Sequence, residues 1–104
     1  MTSISTHVLD TSLGKPAAGI PVELAQQVAG EWKALGSSAT DADGRCKDLP
    51  VPDLSAGTVV RLCFTTDGAF FPEVAIVFDV DPAQAHYHVP LLLNPFGYSV
   101  YRGS

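Results

Sequence analysis

The chain has 104 residues, of which 46% are hydrophobic and 16% charged, a composition typical of one globular domain and too apolar for a disordered segment. Its net charge is -5 and its six Lys and Arg residues are scattered, which argues against nucleic-acid binding because no basic stripe can neutralise phosphates. No apolar run approaches the roughly 20 residues that span a bilayer. We therefore expect a single domain over residues 1–104 that binds neither nucleic acid nor membrane.

The start of the chain and its cysteines bear on the compartment. Residues 1–5 have neither the basic nor the apolar segment of a signal peptide, so we expect a cytoplasmic protein whose two cysteines are reduced. Cys63 lies in an apolar run and is interpreted as a core residue. Cys46 follows Arg45 and could lie near a site, although no cysteine-protease context surrounds it.

Alternating apolar and polar residues predict four strands in the first half of the chain, at residues 4–10, 20–28, 31–38 and 45–48. The first two are joined by a loop with its turn at residues 14–16. The piece between Pro21 and Gly30 has some helical character but too little room for a helix. Residues 40–44 resemble the start of a calcium loop but lack its later ligands and closing Glu, so they predict a turn.

The second half predicts a loop at residues 49–57, strands at 58–65 and 71–80, and a terminal hairpin that turns at 94–97. Pro90 should limit pairing within that hairpin, because it has no N–H to donate. Side chains alternate across a strand, so His86, His88 and Pro90 share one face, and Tyr87 begins the opposite, apolar face. Many short strands without a convincing helix predict an all-β sandwich.

Three separated motifs add a resemblance to a known family. Residues 5–10 read STHVLD, residues 86–95 read HYHVPLLLNP and residues 101–104 read YRGS. Together, over nearly the whole chain, they resemble the transthyretin-related 5-hydroxyisourate hydrolases. The resemblance implies a transthyretin-like sandwich of two four-stranded sheets. The family's short helix between the fifth and sixth strands should be missing or reduced to a turn, because residues 65–72 leave too little room for it.

The same resemblance implies an activity. It is the hydrolysis of 5-hydroxyisourate to 2-oxo-4-hydroxy-4-carboxy-5-ureidoimidazoline in urate catabolism, without a metal or organic cofactor. Opening such a ring with water needs a base for the water and stabilisation of the charge that develops on the attacked carbonyl. The resemblance further implies a homotetramer, with the pockets in a central channel where a neighbouring chain end can complete them. The low charge content is compatible with such an assembly.

The resemblance also indicates which residues carry the chemistry. The catalytic set comprises His7, Arg45, His88 and Ser104. The substrate-binding set comprises these four residues together with Tyr101, Arg102 and Gly103. One histidine should activate the water, and we favour His88, although the residues alone leave the choice between it and His7 open. Arg45 should hold the substrate and the developing charge, while His7 and Ser104 orient groups or relay protons. Without the resemblance, a strand histidine is by default structural, and His86 keeps that interpretation.

Two alternatives remain open at this point. His86 and His88 share a strand face and could bind zinc with His7 as a third ligand, although no Cys or carboxylate stands at ligand spacing nearby. A transthyretin-like sandwich can also serve as a non-enzymatic carrier of small hydrophobic ligands. A carrier would not need His7, His88 and the YRGS ending together, so their combination favours the enzyme.

Overall fold

The computed structural model describes residues 1–103, and every regular element within that range is a strand. The nine strands are β1 (Ser3–Asp10), β2 (Lys15–Pro16), β3 (Pro21–Val28), β4 (Glu31–Ala39), β5 (Arg45–Cys46), β6 (Val59–Thr65), β7 (Glu73–Asp79), β8 (His86–Asn94) and β9 (Gly97–Val100). The described residues form no helix, and therefore no helix that is long and apolar enough to cross a membrane.

The strands form two sheets. One has the order β4-β3-β6-β7, and the other has the order β2-β1-β8-β9 with β5 also paired to β1. The predicted all-β sandwich of two sheets is confirmed. One strand, β2, was not predicted. It consists of two residues within the predicted first loop, where Pro16 pairs with Leu9 and Lys15 pairs with Asp10. The Asp10 carboxylate accepts the backbone N–H groups of Ser12 and Leu13 at 2.9 and 3.1 Å, which closes the turn and holds β2 against β1.

Period-two alternation places the core between the sheets. Most inward-facing positions of β1, β3, β6 and β8 are apolar, and each buried aliphatic or aromatic side chain contributes about 1.5–3 kcal/mol to folding. The largest fully buried side chains are Ile4, Val8, Val22, Leu24, Val60, Leu62, Phe64, Val74 and Leu91. In the first part of β1 and of β8 the alternate positions are polar, namely Ser3, Ser5, His7, His86 and His88. The burial of the apolar residues therefore turns a histidine- and serine-bearing face of this sheet outward.

The pairing of β1 with β8 is parallel and runs over eight residues, with Ser3 opposite His86, Ser5 opposite His88 and His7 opposite Pro90. The Thr6 hydroxyl is fully buried and donates to the carbonyl oxygen of Val89 at 2.5 Å. A slip of one residue would turn the apolar side chains of one strand outward and break this bond. The register is therefore strongly specified, although the two strands lie far apart in the chain.

Pro90 lies inside a central strand, where its missing N–H limits the pairing of β8 with β9, as predicted. Regular pairing ends at Val100, which lies opposite Leu91. The Tyr101 N–H still reaches the Pro90 carbonyl oxygen at 3.4 Å, and pairing resumes where the Gly103 N–H donates to the His88 carbonyl oxygen at 2.8 Å. The end of the described chain is thereby held beside His88.

The connection between β6 and β7 contains no helix, which confirms the expectation that the family's helix is missing. Residues 66–72 form a tight loop instead, in which the Thr66 N–H donates to the Pro72 carbonyl oxygen at 3.1 Å. Phe71 packs edge-on against Tyr98 of β9, with 5.2 Å between the ring centroids. Aromatic contacts thus hold this loop against the terminal hairpin.

The burial of the two cysteines is the reverse of what the sequence predicts. Cys63 lies between the core residues Leu62 and Phe64, so its side chain points to the outer face and is half-buried, and its interpretation as a core residue is wrong. Cys46 is the core cysteine, and burial raises the pKa of its thiol. Because neighbouring strand residues face opposite sides, Cys46 points away from the face that bears Arg45.

Candidate functional site

The outer face of β1, β5 and β8 brings together residues from three distant parts of the chain. His7 on β1 lies directly opposite Arg45 on β5, and Ser5 lies directly opposite His88 on β8. A cleft of about 330 Å³ lies over these strands, which is within the range of small-molecule sites of about 300–1,000 Å³. Its lining includes Ser3, Ser5, Arg45, Lys47, His86 and His88.

Serine hydroxyls hold both histidines of β8. The Ser5 Oγ lies 2.8 Å from Nε2 of His86 and 2.8 Å from Nδ1 of His88. The Ser3 Oγ lies 2.5 Å from Nδ1 of His86. Ser5 is only 7% exposed, so its hydroxyl occupies a fixed position between the two rings. Because Nδ1 of His88 meets Ser5, Nε2 is the nitrogen of that ring left to act on a substrate or a water.

His7 is held by the backbone of the neighbouring turn. Its Nε2 lies 2.8 Å from the carbonyl oxygen of Asp43. A carbonyl oxygen can only accept, so Nε2 of His7 carries a proton and donates it in this bond. In the neutral ring the lone pair is therefore on Nδ1, which makes Nδ1 the nitrogen of His7 that can take up a proton.

The turn before β5 positions both His7 and Arg45. The Asp41 carboxylate accepts the backbone N–H groups of Asp43 and Arg45, each at 2.9 Å, and the bond from Arg45 is the main cause of a lowered Asp41 pKa. Gly44 has φ of 75° and lies so close to β1 that a Cβ at this position would stand 2.4 Å from a backbone oxygen. The Asp-Ala-Asp-Gly sequence is thus a turn, as predicted, and it serves to place these two side chains.

Burial and neighbouring charges act together on His88. Partial burial is the largest cause of a lowered His88 pKa, and the positive charge of Arg45 and the other two imidazoles, His7 and His86, lower it further. The ring is therefore neutral near pH 7 and able to accept a proton.

The chain end approaches the same ring. A Cβ added to Gly103 would stand 2.7 Å from Cδ2 of His88 and 3.3 Å from Cγ of Pro90, so only glycine fits without a shift. Tyr101 is 55% exposed and lines a different cavity, together with Tyr87 and Arg102. Ser104, which the resemblance assigns to the catalytic set, lies outside the described residues.

Arg102 is not brought together with the histidines in this chain. Its guanidinium carbon lies 4.7 Å from the centre of the Tyr87 ring, and Tyr87 belongs to the core between the sheets. Neighbouring residues of an extended chain face opposite sides, so Arg102 lies on the inner side while Gly103 lies against His88. The stacking is a cation–π contact that ties the chain end to the sandwich.

Sequence reasoning left His86 as a structural residue, yet the structure joins it to His88 through Ser5. The available signal was the shared period-two face of His86 and His88, together with the alternating serines of β1. The same contacts argue against a zinc site, since both ring nitrogens of His86 are already hydrogen-bonded to serine hydroxyls. Among residues 1–103, no group of three or more His, Cys, Asp or Glu side chains is arranged to hold a metal ion.

Comparison with known proteins gives a consistent result. The HIUase/Transthyretin family matches residues 4–103. The chain is 41% identical to a 5-hydroxyisourate hydrolase of Salmonella dublin over 97% of its own length and 80% of that relative. It is 47% identical to the uric acid degradation bifunctional protein TTL of Arabidopsis thaliana, again over 97% of its length, but spans only 37% of that longer protein.

Solved structures show the same fold. The Klebsiella pneumoniae 5-hydroxyisourate hydrolase superposes with a TM-score of 0.80 at 34% identity, covering 98% of this chain and 99% of that one. Sea bream transthyretin, crystallised in complex with thyroxine, superposes with a TM-score of 0.86 at 28% identity, covering 97% of this chain and 94% of that one. The fold alone therefore does not separate a hydrolase from a carrier.

The charge of Arg45 should be measurable in the titration of His88. Replacing Arg45 with alanine removes a positive charge that disfavours the imidazolium, so we expect the His88 pKa to rise toward its ordinary value of 6.5. Because the folded pKa lies below 6.5, His88 contributes stability above that pH, which is lost as the pH falls through the folded value. In Arg45→Ala this loss should be smaller. NMR titration of the imidazole resonances measures the pKa directly.

Lys33→Ala is the matched control, because Lys33 is an exposed cation on β4 of the other sheet. It should leave the His88 titration unchanged. An unaltered His88 pKa in Arg45→Ala would contradict the close approach of the two side chains.

The fit of Gly103 against His88 gives a second prediction. In Gly103→Ala the new methyl must displace the ring or the chain end, and overpacking of this kind costs about 1–3 kcal/mol of unfolding free energy. Gly97→Ala is the control, because a Cβ there meets Asn94 at an ordinary 3.5 Å and should cost less than about 0.5 kcal/mol. Denaturant unfolding measures both changes, and equal stability of the two variants would refute the fit.

Proposed function

This chain belongs to the HIUase/transthyretin family, and we propose that it hydrolyses 5-hydroxyisourate to 2-oxo-4-hydroxy-4-carboxy-5-ureidoimidazoline in urate catabolism. The observation that carries the proposal is the meeting of His7, Arg45 and His88 on one face, over a cleft of small-molecule size. Relatives that match nearly the whole chain are named for this activity.

The three side chains suit a flat, polar and readily ionised heterocycle. Arg45 is always charged and can offer paired donors to the oxygen atoms of such a ring. The same guanidinium can stabilise the negative charge that develops on the attacked carbonyl oxygen. Lys47 lines the same cleft and adds positive charge there. A ring that becomes more negative during the reaction is thus met by cations.

His88 is the base in this proposal, and its Nε2 takes a proton from the attacking water. The water oxygen bonds to the ring carbonyl carbon, the bond from that carbon to the ring nitrogen breaks, and the nitrogen takes up a proton. His7, whose Nε2 is held by the Asp43 carbonyl, orients the reacting groups or relays protons through Nδ1. We retain Ser104 as part of the catalytic set on the resemblance of the YRGS ending.

A carrier of hydrophobic ligands is the alternative that the likeness to transthyretin raises. The polar groups of this cleft argue against it, because an apolar ligand would displace water from histidines, serines and two cations without replacing the hydrogen bonds of that water. Two histidines whose ring orientations are fixed by hydrogen bonds are of use for proton transfer and not for holding an apolar ligand.

We further infer that the chain is one domain over residues 1–104 and works as a cytoplasmic homotetramer with sites at subunit interfaces. A single cluster of core residues drawn from both sheets supports the first point. The exposure of the cleft to bulk solvent supports sites at subunit interfaces, since a neighbouring subunit would close the cleft over the substrate and the attacking water. The free thiols of Cys46 and Cys63 suit a reducing compartment. Tyr101 is a substrate-binding candidate that such an interface would enclose, whereas Arg102 retains only the resemblance as support.

The first experiment follows the decay of freshly generated 5-hydroxyisourate by ultraviolet absorbance, with and without the protein and after treatment with a chelator. We expect acceleration that survives the chelator, because proton transfer and charge stabilisation require no metal here. Acceleration that the chelator removes would instead support a zinc site of His7, His86 and His88. Decay at the spontaneous rate would contradict the hydrolase and favour the carrier.

The role of His88 is tested in the same assay. Removing a general base typically costs about 10²–10⁴-fold in rate, so His88→Ala should lose turnover by that factor. His88→Asn is the companion variant, because its amide can still bond to Ser5 while offering no base. Both variants should retain the fold by near-ultraviolet circular dichroism. Undiminished turnover in His88→Asn would rule out His88 as the base.

A further inference from the structure

Four polar groups form a continuous line from the cleft toward solvent. His88 meets Ser5 through Nδ1, Ser5 meets Nε2 of His86, and Nδ1 of His86 meets Ser3, at 2.8, 2.8 and 2.5 Å. His88 is half-buried and Ser5 is buried, whereas His86 and Ser3 are exposed. The line therefore joins the proposed base to the outside through one buried hydroxyl.

The hydrogen bonds of this line can all point in either of two directions, because each hydroxyl and each neutral imidazole can both donate and accept. In one direction, His88 Nδ1–H donates to Ser5, Ser5 O–H donates to His86 Nε2, and His86 Nδ1–H donates to Ser3. In the other direction every bond is reversed, and each group still has a partner. A hydroxyl between two imidazoles is needed for this property, because it can accept from one ring while it donates to the other. Passage of one proton converts the first arrangement into the second.

The proposed reaction releases one proton at neutral pH. Water brings two hydrogen atoms, one ends on the released ring nitrogen, and the other leaves because the product is a carboxylate at neutral pH. That second proton is taken up by Nε2 of His88, which becomes an imidazolium. Arg45 and Lys47 line the same cleft, and the charge of Arg45 disfavours a positive charge on His88. A route that carries the proton away from the cleft would restore the neutral ring.

We propose that Ser5 and His86 form the proton exit of this site, by which the proton released in hydrolysis leaves His88 for solvent. This inference rests on the proposed function. The Nδ1 proton of imidazolium His88 passes to the Ser5 oxygen as the Ser5 hydroxyl proton passes to Nε2 of His86. His86 then releases its Nδ1 proton toward Ser3 and water. Once the product has left, Nε2 of His88 releases its own proton to water, and Nδ1 regains a proton from Ser5 as one proton passes back along the line from solvent.

The test is the Ser5→Ala variant in the 5-hydroxyisourate assay at increasing concentrations of imidazole buffer. Ser5 does not touch the substrate in this proposal, so kcat should fall by about 10- to 100-fold with little change in KM. Imidazole can carry the proton instead and should restore kcat in proportion to its concentration. Ser5→Thr keeps the hydroxyl and should retain most of the activity. His86→Asn should show the same imidazole-dependent defect.

Ser37→Ala is the control, because Ser37 is an exposed strand serine of the other sheet and should have no effect. An unchanged kcat in Ser5→Ala would overturn the proton exit. A loss that imidazole does not restore would also overturn it, since a purely structural role predicts that result.

A second measurement keeps this inference separable from the proposed function. The ring nitrogen shifts of His86 and His88 report the hydrogen-bonded line by NMR without any substrate. Ser5→Ala should alter the shifts of both rings, and unaltered shifts would overturn the line itself. If the unsubstituted chain bears the line but does not accelerate the decay of 5-hydroxyisourate, the proposed function fails, and with it the use of the line as a product-proton exit.

Discussion

The parallel pairing of β1 with β8 is the constraint on which the rest of the structure depends. It places Ser5 opposite His88 and Ser3 opposite His86, and the buried bond from Thr6 to Val89 opposes any slip. A parallel pair requires a long crossover, and here that crossover contains the whole second sheet and most of the core. The folding of the sandwich and the assembly of the site are therefore one event.

The site is built by backbone approach as much as by side-chain choice. The turn before β5 presents a carbonyl oxygen to His7 and begins the strand that carries Arg45. At the other end, Pro90 interrupts regular pairing, and Gly103 rejoins β8 against the His88 ring. Each approach is closer than a larger side chain would permit. The short Asp-Ala-Asp-Gly turn and the penultimate glycine are thus requirements of the geometry around the two proposed proton-handling histidines.

Electrostatics and hydrogen bonding act on His88 in the same sense. Burial and nearby positive charge lower its pKa and favour the neutral ring that a base must be. Those same charges make the protonated ring unfavourable, so a base in this position benefits from prompt loss of its proton. The buried Ser5 hydroxyl answers this need, because it connects the ring to the exposed His86. The two serines of β1 that alternate with core residues thereby acquire a chemical purpose beyond strand formation.

The sequence by itself determined the all-β class, most strand positions, the absence of the helix and the shared strand face of His86 and His88, because period-two alternation within one strand is a local property. Its motifs also indicated His7, Arg45 and His88. Only the tertiary structure decided which side chains meet across strands, since register between β1 and β8 depends on packing between segments distant in the chain. That register joins His86 to His88 through Ser5. Packing likewise set Arg102 over Tyr87, on the far side from the histidines, and moved Cys63 out of the core.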